Sequence, residues 1–200
     1  KLASQFTEYK YDFKKLVRDV CNSRAYQLST RTNPSNEDDL RNFARAQLRR
    51  MRAEVLLDVI SQVTQTKNKF QGLPLGARAL QIADGRFSNY FLTTFGRATR
   101  ETVCSCEVVM EPNMSQALHL LNGDVTNSRI NQGKVVQTML KDGKSPALII
   151  DNLYLRCYSR LPRGDEKANL LASIDTENPT ESLTDIFWAL LNSKEFIFNH

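Results

Sequence analysis

Between Thr64 and Pro112 the chain is interrupted too often to build a long regular element: Gly72, Pro74, Gly76, Gly85 and Gly96 fall at short intervals. Glycine and proline are the strongest local breakers of helix and strand, so this stretch must run as loops and short pieces. On both sides the apolar residues instead recur at spacings of three and four, the period of an amphipathic helix. The sequence therefore predicts a mainly α protein, an irregular multi-helix bundle of seven or eight helices with a central loop-rich or short-strand insertion. Residues 1–200 form one domain of one or two lobes, with an N-terminal helical part over 1–63, an irregular centre over 64–112 and a C-terminal helical part over 113–200.

The individual elements follow from pattern and punctuation. Phe6, Tyr9, Phe13, Leu16, Val17 and Val20 line one side of a first helix, which ends near Asn22–Ser23. Asn36, followed by Glu37, Asp38 and Asp39, reads as an N-cap with acids that complement the positive helix end; Leu40, Phe43 and Ala44 would pack, and Arg45, Arg49 and Arg52 would align if that helix continued. Met51–Val63 is the clearest amphipathic segment of the first half, with Val55, Leu56, Val59, Ile60 and Val63 opposite Glu54, Asp58 and Gln62. In the centre, 78–82 and Tyr90–Phe91–Leu92 read as brief strands or extended loops. Later helices are expected over 114–121, stopping at Asn122–Gly123, over 125–140, from Ser145–Pro146 onward, from Asp165 through Leu171, and at the end with Thr180 as cap after Pro179.

Charge is distributed unevenly. The net +5 combines 18 Lys/Arg against 9 Asp/Glu in residues 1–100 with 9 against 13 in residues 101–200. Such asymmetry steers an acidic partner toward the first half or draws the two halves together. A basic stripe interleaved with stacking aromatics, as single-strand binders need, is not evident, so nucleic acid is not the expected partner. No apolar run reaches the roughly 18 residues that span a bilayer. The first residues also lack the continuous apolar segment of a secretory signal. A start already close to a helical pattern is expected of a fragment of a longer protein, and the chain reads as its C-terminal domain.

Candidate chemistry concentrates in the centre. Cys104–Ser105–Cys106 places two thiols one residue apart, suited to a disulfide, to free thiols in a turn, or to two of the four ligands of a zinc site. Glu107 and His119 are the neighbours that could complete such a site, although a histidine within Leu118–His119–Leu120–Leu121 also fits local packing. Cys21 and Cys157 sit in apolar helical contexts and read as buried thiols. Arg49, Arg50, Arg52, Arg97 and Arg100 could grip carboxylate, sulfate or phosphate through paired donors, or could brace the fold against Glu54, Asp58, Glu101 or Glu107. Tyr90, Phe91 and Phe95 could line a sugar site with Trp188 as a platform, or pack in the core. Asp84, Glu101, Glu107 and Glu111 supply carboxylates, but no nucleophile elbow, H-E-x-x-H motif or phosphate-cradling glycine loop is present. His119 and His200 are the only histidines.

The runs 23–29 (SRAYQLS), 49–58 (RRMRAEVLLD), Phe95–Gly96–Arg97, Cys104–Ser105–Cys106–Glu107, 118–122 (LHLLN), 154–160 (YLRCYSR) and 192–200 (NSKEFIFNH) resemble, in order, the DUF1553 (PSD1) domain family. This resemblance implies a domain of unknown function from large proteins of Planctomycetes and related bacteria. It also implies upstream DUF1549-like and cytochrome-c-like domains and an extracytoplasmic, periplasmic or cell-surface, setting. The family's C-x-C-E-R pattern maps onto Cys104, Cys106 and Glu107, with Val108 in place of the arginine. The expected role is a noncatalytic scaffold or interaction domain. The alternatives are a binding or catalytic module for an acidic or sulfated polysaccharide and a metal or redox role of the cysteine pair; no cofactor is assigned.

Overall fold

The computed structural model describes residues 1–39, 41–102, 108–122 and 124–199, without the side chains of Asn122 and Asp124. Leu40, the Cys104–Cys106 pair with Glu107, the Gly123 stop and His200 lie outside the described residues. The chain is mainly helical and divides into two compact units, residues 1–49 and residues 50–199. Its strand content among the described residues is a sheet of two two-residue strands, β1 (Arg49–Arg50) and β2 (Phe198–Asn199).

In the first unit the single helix expected through Phe6 and Val20 is instead a pair, α1 (Leu2–Glu8) and α2 (Phe13–Cys21). Lys10 and Tyr11 both take positive φ, 52° and 64°, a left-handed step that costs non-glycine residues roughly 1–2 kcal/mol each. Local bonds hold the break. The Asp12 carboxylate accepts from the N–H groups of Lys14 (3.0 Å) and Lys15 (3.3 Å), capping α2. Tyr9 donates its hydroxyl to Asp19 at 2.6 Å, which raises the phenol pKa.

The helix expected from Asn36 does not form; residues 34–38 are turns. The same side chains that favour N-caps here close loops. Asn36 accepts from the Asn33 N–H, and the Asp39 carboxylate accepts from the N–H groups of Arg41, Asn42 and Ala44. Phe43, expected to pack, has φ 55° and an exposed ring. Arg45, Arg49 and Arg52 accordingly share no helix face.

The core belongs to the second unit. It is built on α3 (Ala53–Val63), α6 (Asp124–Gly133), α7 (Val135–Lys141), α8 (Pro146–Tyr158) and α10 (Pro179–Leu191), with α10 packed on α6, α7 and α8. Leu183, Ile186, Phe187, Leu190 and Leu191 of α10 are buried, as their spacing predicts. On α3 the buried face comprises Leu56, Leu57, Ile60 and Val63, while Val55 and Val59 are only half-buried. Ser145 caps α8 with Pro146 at its first position, and α9 (Gly164–Ala172) follows. Asn178 occupies the N-cap position of α10, and Thr180, expected to cap it, lies inside the helix.

The helix expected over 125–140 is divided at Lys134, whose φ of 49° separates α6 from α7. The cause lies at Gly133. A Cβ there would sit 1.7 Å from the Thr64 carbonyl oxygen, so the end of α6 touches the end of α3 backbone to backbone. Likewise the two brief strands expected in the centre are a 3₁₀ turn at Ala79–Gln81 and α4 (Tyr90–Thr94). The Asp58 carboxylate accepts from the Ala79 N–H at 2.7 Å and so anchors the 3₁₀ turn to α3.

Arg160 ties the C-terminal helices together. Its Nε and Nη2 donate to Glu195 at 2.6 and 2.8 Å, and Nη1 and Nη2 donate to Glu166 at 2.8 and 3.0 Å. Glu195 lies on α11 (Lys194–Ile197) and Glu166 on α9. Glu166 also accepts the Arg163 N–H that opens α9. The guanidinium stands 5.3 and 5.5 Å from the Tyr154 and Tyr158 ring centroids. The adjacent Arg160 holds the Glu166 carboxyl at about 2.

Two outcomes test this packing. Gly133→Ala should destabilise the chain by about 1–3 kcal/mol, read as a lower urea midpoint at unchanged slope. Because the folded pKa of Glu166 is depressed, its stabilisation is complete above the unfolded carboxyl value and declines as pH falls toward about 2. Glu166→Gln should therefore be clearly less stable than the unchanged chain at pH 6, and the gap should narrow in denaturation curves taken stepwise down to acid pH.

Candidate functional site

Of the arginines singled out in the sequence, Arg50 and Arg97 turn their side chains inward, while Arg100 is exposed. Arg50 is 4% exposed; its Nη2 donates to the carbonyls of Phe95 (3.0 Å) and Val109 (2.9 Å) and its Nη1 to that of Met51 (3.2 Å). Desolvation lowers its pKa, and the Phe95 ring lies 5.4 Å from the guanidinium carbon. Arg97 places Nε 3.4 Å from Glu54 on α3, donates from Nη2 to the carbonyls of Ile82 (3.2 Å) and Asp84 (3.0 Å), and from Nη1 to that of Phe87 (3.4 Å). Arg100 donates to Ile82 and Ala83 at 3.1 and 3.2 Å. Carbonyls outside regular structure need donors, and these guanidinium groups supply them, at the buried Phe95 and Ile82 as well as at the exposed Ala83 and Asp84. Gly96, at φ 74°, lets Val109 approach so closely that a Cβ would meet its carbonyl oxygen at 2.2 Å.

Arg52 is exposed at the N-cap position of α3, and Arg49, in the first unit, is exposed and donates to Gln47 at 3.3 Å. The other sequence-predicted residue, Tyr90, borders a cleft whose described lining includes neither Arg97 nor Arg100.

That cleft, with a volume of about 610 Å³, lies between the 68–70 segment, α4, α5 (Met114–Asn122) and α6. Its aromatic wall is Tyr90, Phe91 and Phe70; Asn68, Asn89 and Ser115 add polar groups, and Lys69, His119 and Arg129 add nitrogen bases. Tyr90 is 73% exposed, and its ring meets His119 edge-on with centroids 4.9 Å apart. His119 also contacts Phe91 (5.5 Å) and Phe95 (6.1 Å), so the aromatic surroundings position its ring.

Arg129 was not singled out by the sequence. One turn before Gly133, it donates from Nη1 to the Ser61 hydroxyl and to Thr66 Oγ1 (3.2 Å), and from Nη2 to Asn68 Oδ1 (2.7 Å). Asn68 passes the interaction on by donating its amide to Asp58 at 3.2 Å. Burial lowers the Arg129 pKa, partly opposed by the negative charge of Asp58. The available signal was a lone arginine in Asn127–Ser128–Arg129–Ile130, which reads as solvated until Gly133 sets the contact with α3.

The sequence model of a protein family described as of unknown function, DUF1553 (PSD1), matches residues 1–174. The chain belongs to the DUF1553 family. No curated protein and no solved structure matches it. The matched residues extend from α1 through α9 and contain both the arginine-braced centre and the Arg129 cleft.

Elsewhere in this DUF1553 chain, chemically versatile side chains have structural partners. Glu54 and Asp58 face Arg97 and the 3₁₀ turn, Asp84 accepts the Arg86 N–H at 2.9 Å, and burial pushes the Cys157 thiol up to about 12. Cys157 and Cys21 are free thiols, both half-buried. Among the described residues no three His, Cys, Asp or Glu side chains are grouped to hold a metal ion.

The first unit carries a second surface. Among its described residues no apolar side chain is buried, and Phe13, Val17 and Val20 of α2 are exposed at spacings of four and three. Lys14, Lys15 and Arg18 are exposed beside them.

If Arg50 and Arg97 serve as backbone braces, Arg50→Leu and Arg97→Leu should each lower unfolding free energy by roughly 2–4 kcal/mol. Urea denaturation monitored through Trp188 fluorescence checks this.

Proposed function

We propose that this DUF1553 chain is a noncatalytic interaction domain of an exported multidomain protein, docking through α2 to another domain of the same parent. The carrying observation is the exposed stripe of Phe13, Val17 and Val20 in a unit whose described residues include no buried apolar side chain. A segment of this kind gains stability by burying its apolar face, at about 25 cal/mol per Å² of apolar surface removed from water. The flanking Lys14, Lys15 and Arg18 select an occupant whose apolar surface has an acidic rim.

The conversion of Arg50, Arg97 and Arg100 into internal braces supports the scaffold reading, because it assigns the most concentrated charge of the centre to holding its fold. The resemblance supplies the context for the proposal: an extracytoplasmic parent in which DUF1549-like and cytochrome-c-like domains precede this one. The docking partner is then upstream in the same polypeptide.

Hydrogen exchange in the parent protein, compared with the isolated 200-residue chain, tests the proposal. The amides of α2 should exchange at least about tenfold more slowly in the parent, and Phe13→Asp with Val17→Asp should remove the difference. Equal exchange in the two forms overturns the docking role.

A further inference from the structure

The Arg129 cleft has a charge and shape that the docking surface does not explain. Arginine carries five N–H donors, and three of those on Arg129 are taken by Ser61, Thr66 and Asn68. All three partners are neutral. Among the described residues no carboxylate pairs directly with this guanidinium, and none lines the cleft. Asp58 is bonded to the Asn68 amide rather than to the guanidinium, and its negative charge acts on Arg129 at longer range. The result is a partly desolvated positive charge, oriented by three bonds and open on its remaining side, with exposed Lys69 at the same cleft.

The surroundings narrow the ligand further. A volume of about 610 Å³ exceeds that of a bare inorganic anion and is within the range of small-molecule sites. Tyr90 presents an exposed ring as a flat apolar platform, while Asn89 and Ser115 provide short neutral polar groups suited to hydroxyls. An oxyanion at one end, an aromatic surface and several amide or hydroxyl groups together match an acidic sugar better than a purely apolar or purely ionic ligand.

We infer that this cleft binds an oxyanion-bearing oligosaccharide, placing a carboxylate or sulfate ester against Arg129 and Lys69 and a sugar ring against Tyr90. Recognition is by charge and stacking, and the inference is independent of the docking role of α2. The site differs from the anion site that the sequence suggests: Arg97 and Arg100 take no part.

Isothermal titration of the 200-residue chain at low salt tests it with four probes: tetragalacturonate, a sulfated galactan tetrasaccharide, neutral galactotetraose and sodium sulfate. Tetragalacturonate or the sulfated oligomer should bind at least about tenfold more tightly than either control, and the preferred one identifies the oxyanion. Tyr90→Ala and Lys69→Ala should each weaken that binding by about fivefold or more, with unchanged melting temperature because both side chains are exposed. Absence of binding by both charged oligomers at millimolar concentration overturns the inference. So does equal affinity for the neutral oligomer or sulfate, or affinity untouched by both substitutions.

Discussion

The close approach of Gly133 to Thr64 governs the second unit. With a backbone carbonyl where a Cβ would stand, α6 can end only here, and α3 and α6 are fixed against each other at their C-terminal ends. This contact brings Arg129 within reach of Ser61, Thr66 and Asn68, three polar groups at or just beyond the end of α3. It also explains the helix break at Lys134, since α7 must leave in a new direction to pack against α8 and α10. One small residue thus sets both the packing of the bundle and the wall of its cleft.

The centre solves a different problem. A segment with so many glycines and turns leaves carbonyl groups without ladder partners, and burying them unpaired would cost about 1–3 kcal/mol each. Arg50, Arg97 and Arg100 reach across the chain to satisfy them, while Asp58 and Asp84 accept from nearby N–H groups. At Arg50 and Arg97, charge that looks like ligand-binding capacity in the sequence is engaged within the fold. The Arg160 node repeats the device with carboxylate partners, joining α8, α9 and α11 through one planar group.

The mainly helical fold was legible because the long packing helices carry clear period and punctuation: α3, α8 and α10 lie where apolar spacing and the Ser145–Pro146 and Pro179 signals put them. Boundaries failed where a local polar side chain or a close contact outweighed periodicity. Asp12 and the positive φ of Lys10 and Tyr11 divide the first helix, Asp39 and Asn36 close turns where capping was expected, and Gly133 answers to Thr64, far away in sequence. The arginines were visible as a cluster, but whether guanidinium groups face carbonyls or solvent depends on tertiary paths that spacing does not encode. Tyr90 was picked out for its type, whereas Arg129, its neighbour in the cleft, had no motif to distinguish it.

Bracing by guanidinium groups has an evolutionary consequence. A β-ladder fixes register at every second residue, so an inserted residue disturbs all that follows. The contacts from Arg97 and Arg100 instead pin the chain at Ile82, Ala83, Asp84 and Phe87. Stretches outside such pinned points, including the exposed turn around Gly72 and Pro74 that precedes them, can change length without moving the helices. The irregular centre is therefore where members of such a family can diversify in shape while retaining the same helical frame.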